Sequence, residues 1–369
     1  ERLKLKPADA ENLEWLVLKH LAVNVVAFRH DLSDPEIVLS FAAEVGSIRR
    51  LELLVVHTVA DLVAVGPGVA TDWKMNLIED LYKRTRRYFD SGDLPGSPDD
   101  PEIESTREAI RKELTKRSAS QACHDLLDQF PLSLLSRGDP ARLSEEICNA
   151  TDRLAAGETT VCTCYEDTVF KAMRYTVIHR ESKESIGTFA RATGALSTLG
   201  LVILRAQIET IGDSLAWDHF WVTDPECPDG PVPERISQVC ERVKHLLDTS
   251  SEPLPAYRRT WATDNKREPA QVNVLPRKVV FDNETVDRYT IVSLFAYDEV
   301  GLLYRIATAL AEQRVVLHFA KIDTHLDQVA DVFYVSEQDG SKLLDPQRQE
   351  QVRDALLSSI STPLDEPSG

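Results

Sequence analysis

Positive charge is scarce in this chain: 42 Lys and Arg stand against 60 Asp and Glu, a formal net charge of −18 over 369 residues. Gripping a phosphate backbone draws on clustered Lys and Arg, so a nucleic-acid partner is not expected. No apolar run approaches the length that spans a bilayer, and no signal peptide opens the chain, so a membrane role is not expected either. The six cysteines (Cys123, Cys148, Cys162, Cys164, Cys227 and Cys240) are scattered. Only Cys162 and Cys164 are close, in a C-x-C without the second pair that a zinc site would want. They read as reduced thiols of a cytoplasmic protein. The first residue is Glu rather than Met, so the chain is expected to be a fragment of something longer.

What is present begins with helical periodicity. From Asp9 to about Phe89 apolar residues recur at helical spacing through Leu13–Leu21, Asp34–Ala42, Leu51–Val65 and Trp73–Tyr88. Asp34 before Pro35 reads as an N-cap followed by a first-turn proline. Residues 91–103, rich in Pro, Gly, Ser and Asp, form a loop. Helix resumes at Arg107–Leu114 and His124–Leu135, and Pro140–Leu154 reads as a connecting helix.

From Tyr175 the pattern changes to two copies of one plan, each a β-branched or aromatic strand that runs into a polar loop closed by a glycine and then into a helix. The first loop is Lys183-Glu184-Ser185-Ile186-Gly187, and the second is Asp298-Glu299-Val300-Gly301, followed by Leu302. The first copy has strands at about 174–181, 201–211, 215–223 and 277–283, with helices at 186–199 and 233–248. The second has strands at about 288–297, 315–325 and 328–337, with helices at 301–313 and 346–360. Residues 250–271 read as an insertion or linker. The expected fold class is α+β: a helical region followed by two ferredoxin-like βαββαβ units. A glycine at each turn permits a sharp strand-to-helix reversal, and free amides at the helix start suit a carboxylate. Two readings stand: a pair of small-ligand sites, or two tight turns.

Several ordered motifs carry a specific resemblance. Asp298–Leu303 with Leu317–Ile322 and Asp331–Val335 resembles the last ACT domain of the bacterial PII uridylyltransferase/uridylyl-removing enzymes, and the copy containing Asp218–Val222 is similar to their penultimate one. Trp15-Leu16-Val17 with His20-Leu21, Asp31 with Asp34-Pro35, Thr58–Asp61, Val65–Pro67 and Trp73-Lys74 resemble the second half of their HD domain. The resemblance implies residues 1–90 as that half domain, 91–172 as a helical connector, 173–284 as the first ACT domain and 285–369 as the second. It implies the regulatory part of a nitrogen sensor that attaches UMP to the PII signal protein when glutamine is scarce and removes it when glutamine is plentiful. The family's nucleotidyltransferase domain has no counterpart here, so uridylylation is expected to be absent, and the chain alone is expected to be inactive.

The resemblance also assigns site residues. In the family an HD domain gathers His and Asp ligands around divalent Mg or Mn, of which Asp61 and His20 would be the share found here; its other ligands belong upstream of residue 1, and no bound metal is expected in this chain. Leu54, Thr58, Asp61 and Val65 share a face of an apolar helix, where a carboxylate is expensive unless partnered; an i, i+4 pair with His57 would satisfy it equally. His30-Asp31 precedes a helix cap and reads as solvated. Glutamine would bind at Asp298, Glu299, Val300, Gly301 and Leu302 of the second copy and, less closely matched, at Glu184, Ser185, Ile186 and Gly187 of the first. Leu317–Ala320 and Asp331 are candidates for the opposite wall at a seam between paired copies. A homodimer through the ACT domains, a purely structural ACT pair, and a working HD phosphohydrolase with ligands supplied from elsewhere are the further expectations.

Overall fold

The computed structural model describes residues 6–66, 69–136, 138–168, 170–180, 187–212, 214–228, 230–249, 277–297, 301–322, 324–325 and 328–361. The chain divides into two compact units, the first running to Glu145 with Thr168–Lys171, the second made of the rest.

The first unit is helical: α1 (Pro7–Lys19), α2 (Ala22–Arg29), α3 (Pro35–Val45), α4 (Ile48–Val65), α5 (Asp72–Ser91), α6 (Pro101–Lys116), α7 (Gln121–Asp128) and α8 (Leu132–Leu135); α9 (Pro140–Ala155) follows. The starts obey their local chemistry. Asp34 accepts from the Glu36 amide at 2.9 Å ahead of Pro35, and Asp100 accepts from Glu102 at 3.0 Å ahead of Pro101. Gly46 and Gly92 end α3 and α5 in the left-handed conformation, with φ of 76° and 79°. The core of this unit is an aliphatic cluster that includes Val38, Phe41, Leu51, Leu54, Leu77 and Leu81.

The second unit carries β1 (Thr160–Asp167), β2 (Ala172–Arg180), α10 (Thr188–Thr198), β3 (Val202–Gln207), β4 (Thr210–Ile211), β5 (Leu215–Thr223), α11 (Pro233–Asp248), β6 (Lys278–Asp282), β7 (Thr290–Tyr297), α12 (Leu302–Glu312), β8 (Val316–Lys321), β9 (Thr324–His325), β10 (Gln328–Ser336) and α13 (Pro346–Ser361). One antiparallel sheet runs β1-β2-β5-β3-β8-β10-β7-β6. The α+β class holds, but the strand order differs from the expected βαββαβ. Each half reads ββαββα, with its outer strand supplied from earlier in the chain. The strand at 277–283, placed by sequence in the first copy, is β6 and pairs with β7 of the second. The first copy's outer strand is instead β1, in the stretch taken as helical connector; Thr160, Val161, Thr163 and Tyr165 give it a strand-forming composition, and it pairs with β2 along eight residues.

The two halves join edge to edge. Arg205, Ala206 and Gln207 of β3 face Lys321, Ala320 and Phe319 of β8, and the pairing is extended by Ile208 N–H to His318 O at 3.1 Å and Ile322 N–H to Leu204 O at 3.2 Å. Helices α10 to α13 lie on one face over a continuous apolar core built from Tyr175, Val177, Phe220, Val222, Phe333 and Val335 below and Leu196, Val243, Leu310 and Leu356 above. Where α10 meets α12, Gly194 lies against the Tyr304 ring, and a Cβ there would stand 2.9 Å from two ring carbons. Gly194→Ala is therefore expected to lower the unfolding free energy by about 1–3 kcal/mol, read by urea denaturation. Adding Tyr304→Leu should recover part of the loss, and an unchanged midpoint for Gly194→Ala would show that the ring yields freely.

Candidate functional site

A cavity of about 200 Å³ sits on the seam between the two halves of the sheet. Its first wall is the turn into α10: Gly187, at φ 93°, passes the chain directly into the helix. A glycine offers no side-chain cap, so the first-turn amides of Thr188, Phe189 and Ala190 have no partner within the helix. Ile208, Thr210 and the carboxylate of Asp218 complete this side. The second wall comes from the other half: Ala307, Leu310, Ala311 and Arg314 at the end of α12, Val315, Val316 and Leu317 entering β8, and Gln338. Asp218 is only 2% exposed, whereas Arg314 is exposed at the mouth. Apolar walls, a helix start, a carboxylate and a guanidinium together suit a small zwitterion. Drug-sized ligands take roughly 300–1,000 Å³, so this space fits something the size of a free amino acid.

The halves repeat the arrangement. Gly301 stands at the start of α12 with φ 82°, Arg305 corresponds to Arg191, and Asp331-x-Phe333-x-Val335 on β10 corresponds to Asp218-x-Phe220-x-Val222 on β5. Leu302 is buried in the shared core, as is Asp331 in its strand. Leu317, expected on the opposite wall, lines the cavity of the first turn. Glu184, Ser185 and Ile186 lie outside the described residues, as do Asp298, Glu299, Val300 and the stretch 250–276. Sequence reasoning missed Asp218 and Arg314 as cavity residues. Their signal was positional: one sits within a strand and the other just past a helix end, and only the seam brings them together.

On the sheet face away from α10 to α13, where Glu146 of α9 reaches the strands, lies a buried polar row. Arg174 donates to Glu146 at 3.0 Å, Thr176 Oγ1 donates to the same Oε1 at 2.9 Å, and Trp217 Nε1 donates to His219 Nε2 at 3.2 Å. Arg205 lies over the rings of Trp221 and Phe319, at 4.8 and 5.2 Å, and so ties the two halves from behind the seam. Burial, with Arg174 and Arg205 nearby, pushes the His219 pKa well down, and burial lowers His179. Burial likewise brings His318, which stacks on Tyr289 at 4.4 Å, down to about 4.

In the helical unit the metal expectation meets a different geometry. His20 sits at the end of α1 with Nδ1 2.7 Å from Val17 O, and its ring meets the His57 ring edge-on at 5.9 Å. The buried strip of α4 is Leu51, Leu54, Thr58 and Leu62. Asp61 points out of it and is exposed, as Val65 is, so the burial cost that argued for a partner does not arise. The alternative His57–Asp61 pair is not among the hydrogen bonds or ion pairs of the described residues, and the buried His57 Nδ1 has no partner. Among the described residues no group of three His, Cys, Asp or Glu is arranged to hold a metal ion. His30 closes α2, and Asp31 takes the Ser33 amide at 3.0 Å and hydroxyl at 2.6 Å, a local turn ahead of the α3 cap. Among the described residues no helix is long and apolar enough to cross a membrane.

Comparison with known proteins places an ACT-like domain in the second half of the sheet unit. Residues 278–365 match the family model described as ACR9-like, ACT-like domain, so the match opens on β6 and takes in α13. Along the chain, similarity reaches the bifunctional uridylyltransferase/uridylyl-removing enzyme of Gluconobacter oxydans, 30% identical over 370 residues, covering 100% of this chain and 38% of the relative. The proteins of the same name from Cereibacter sphaeroides and Burkholderia thailandensis are 31% and 32% identical, over 97% of this chain and 37% and 40% of theirs. The chain thus spans about 38% of the length of the relatives it matches.

Two outcomes follow from the electrostatics. Because Asp61 is exposed, Asp61→Ala should change the unfolding free energy by no more than about 0.5 kcal/mol in chemical denaturation; a loss of several kcal/mol would mean that the carboxylate has a partner. Because His318 stays neutral in the folded protein, the unfolded chain alone takes up its proton as pH falls below the ordinary 6.5, and stability drops until the folded group also protonates at about 4. Replacing His318 by Gln should flatten the fall in stability between pH 6.5 and 4 by at most on the order of 3 kcal/mol.

Proposed function

Because the chain is related along its whole length to bifunctional uridylyltransferase/uridylyl-removing enzymes, we propose that it is a regulatory part of such an enzyme, with L-glutamine as the ligand of its seam cavity. The observation that carries this reading is the cavity itself, whose walls come from both halves of the sheet unit. In the bound state the α-carboxylate meets the first-turn amides of α10 beyond Gly187, the ammonium faces Asp218, and the side chain lies along α12 and Leu317, within reach of Gln338. The pseudo-equivalent turn at Gly301 offers a second site, to which Asp298 and Glu299 contribute.

A ligand that touches both halves favours the arrangement in which they are closed, and it shifts the population toward that arrangement by its difference in affinity. In the whole enzyme, glutamine bound here favours removal of UMP from the PII signal protein, and its absence favours attachment; the setting is cytoplasmic nitrogen regulation. Of the share of the divalent site, Mg or Mn, that the helical region's resemblance implies, His20 is held to Val17 O through Nδ1 and Asp61 faces solvent, and among the described residues no group of three ligands gathers around them. No hydrolytic step is assigned to them. Since β3 and β8 are already paired within one chain, a homodimer through these domains uses other surfaces.

Calorimetric titration of the purified chain with L-glutamine, against L-glutamate and L-asparagine, tests the reading. Saturable, glutamine-selective heat is expected, with a matching rise in melting temperature. Asp218→Asn and Ala311→Trp should each weaken binding at least tenfold if the first seam is the site, whereas Asp298→Asn should do so if the second is. Neither heat nor stabilisation at millimolar glutamine would leave the pair with a purely structural role.

A further inference from the structure

At the end of α12 a non-glycine residue stands where glycine would sit with least strain. The helix closes on two backbone bonds, from the Arg314 amide to Ala311 O at 2.9 Å and from the Val315 amide to Leu310 O at 2.9 Å. The residue at such a turn takes the left-handed conformation, and Arg314 does so with φ 55°. A Cβ is strained there, so glycine is the usual occupant. Of the three described non-glycine residues with positive φ, Ser118, Lys171 and Arg314, only Arg314 lines the seam cavity. Backbone held in a sparsely populated region gathers at ligand clamps. The Arg314 side chain is exposed, and among the described residues its guanidinium has no hydrogen-bond or ion-pair partner.

The segments on either side of the mouth are held by one side chain. Arg348, in the first turn of α13, donates Nε to Glu337 Oε1 at 2.9 Å and Nη2 to Glu337 Oε2 at 3.2 Å. The same Nη2 reaches Gln313 O at 2.5 Å, and Nη1 reaches Gln313 Oε1 at 3.4 Å. Gln313 and Glu337 are the residues that precede Arg314 and Gln338, the polar side chains of the cavity's second wall. The turn that carries Gln338 is closed by Glu337 N–H to Ser341 O at 2.8 Å and Gly340 N–H to Glu337 O at 3.0 Å. A planar guanidinium with its donors in a fixed fork can make this set of bonds, and the point charge of an ammonium cannot.

We propose that Arg314 reads the far end of the seam ligand, donating to an oxygen there, and that Arg348 is the positioning residue that holds Arg314 and Gln338 at the mouth. The inference rests on the seam cavity being the ligand site. With the ammonium at Asp218 and the α-carboxylate at the first turn of α10, a side chain that runs along α12 ends beside Arg314. A carbonyl oxygen at that end accepts from the guanidinium, whereas a basic side chain meets a like charge and an aliphatic one leaves the donors unused. Gln338 offers its own carbonyl to the N–H of a terminal amide, which a carboxylate lacks. The class selected is an α-amino acid whose side chain ends in an amide.

The test titrates the full chain with L-glutamine and with L-norvaline, which keeps the side-chain carbons and lacks the amide, and records the melting temperature without ligand. For Arg314→Gly the two readouts should move in opposite directions. The melting temperature rises as the strain at φ 55° is relieved, while glutamine affinity falls about tenfold, the loss of one hydrogen bond from a charged donor. Norvaline affinity should stay as it was. Arg348→Gln should weaken glutamine to a similar extent, again sparing norvaline, and Arg348→Lys should not restore it. A stabler Arg314→Gly chain that keeps its glutamine affinity overturns the proposal, and it decides the matter even where Arg348→Gln fails to fold. Equal weakening of glutamine and norvaline by Arg348→Gln overturns the positioning role. No glutamine binding by the unaltered chain is a different result, which removes the ligand reading and this inference with it.

Discussion

The antiparallel pairing of β3 with β8 is the constraint on which the rest of the sheet unit depends. An unpaired edge strand presents a row of open amides and carbonyls, and here each half closes the other's inner edge. That pairing places α10 beside α12, which requires Gly194 where Tyr304 crosses. It also sets the turn of one half against the helix end and strand start of the other, which is what creates the seam cavity. Neither half has the cavity alone.

Polarity divides between the faces of the sheet. On the helix side the strands contribute Tyr175, Val177, Phe220 and Phe333 to an apolar core, with Asp218 and Asp331 buried beside it. On the other side Arg174, Glu146, Thr176 and His219 form a buried row. Removing one member of a buried ion pair costs about 3–5 kcal/mol, whereas the intact pair contributes little net stability. The Arg174–Glu146 pair is therefore costly to break but adds little to net stability. The same burial keeps His219 neutral, accepting from Trp217.

Much of this was legible in the sequence, and the failures have identifiable causes. Spacing and the Asp34-Pro35 cap located α3, β5 and α11 closely, because these are local signals. Local signals do not say which strand is whose neighbour, so β6 was given to the wrong half. β1 was overlooked because residues 91–172 were taken whole as a helical connector, although Thr160, Val161 and Thr163 there favour a strand. Asp61 was placed by a four-residue helical face that included Thr58 and Val65, but the buried strip of α4 runs through Leu62 instead. The glycine turn at Gly187 was legible, whereas Asp218 and Arg314 join the seam cavity only through contacts between distant parts of the chain.

The ββαββα order has a consequence for how the unit forms. Each outer strand is hydrogen-bonded to the strand that follows it, β1 to β2 and β6 to β7, so each half closes its periphery through short-range hairpins, which form quickly because little loop entropy is lost. The β3–β8 contact, by contrast, joins residues more than a hundred positions apart. Assembly is then the docking of two largely completed halves. An excised second half that began at Lys278 would keep its own outer strand, whereas one begun at Thr290 would carry two raw edges, β7 and β8, into solution.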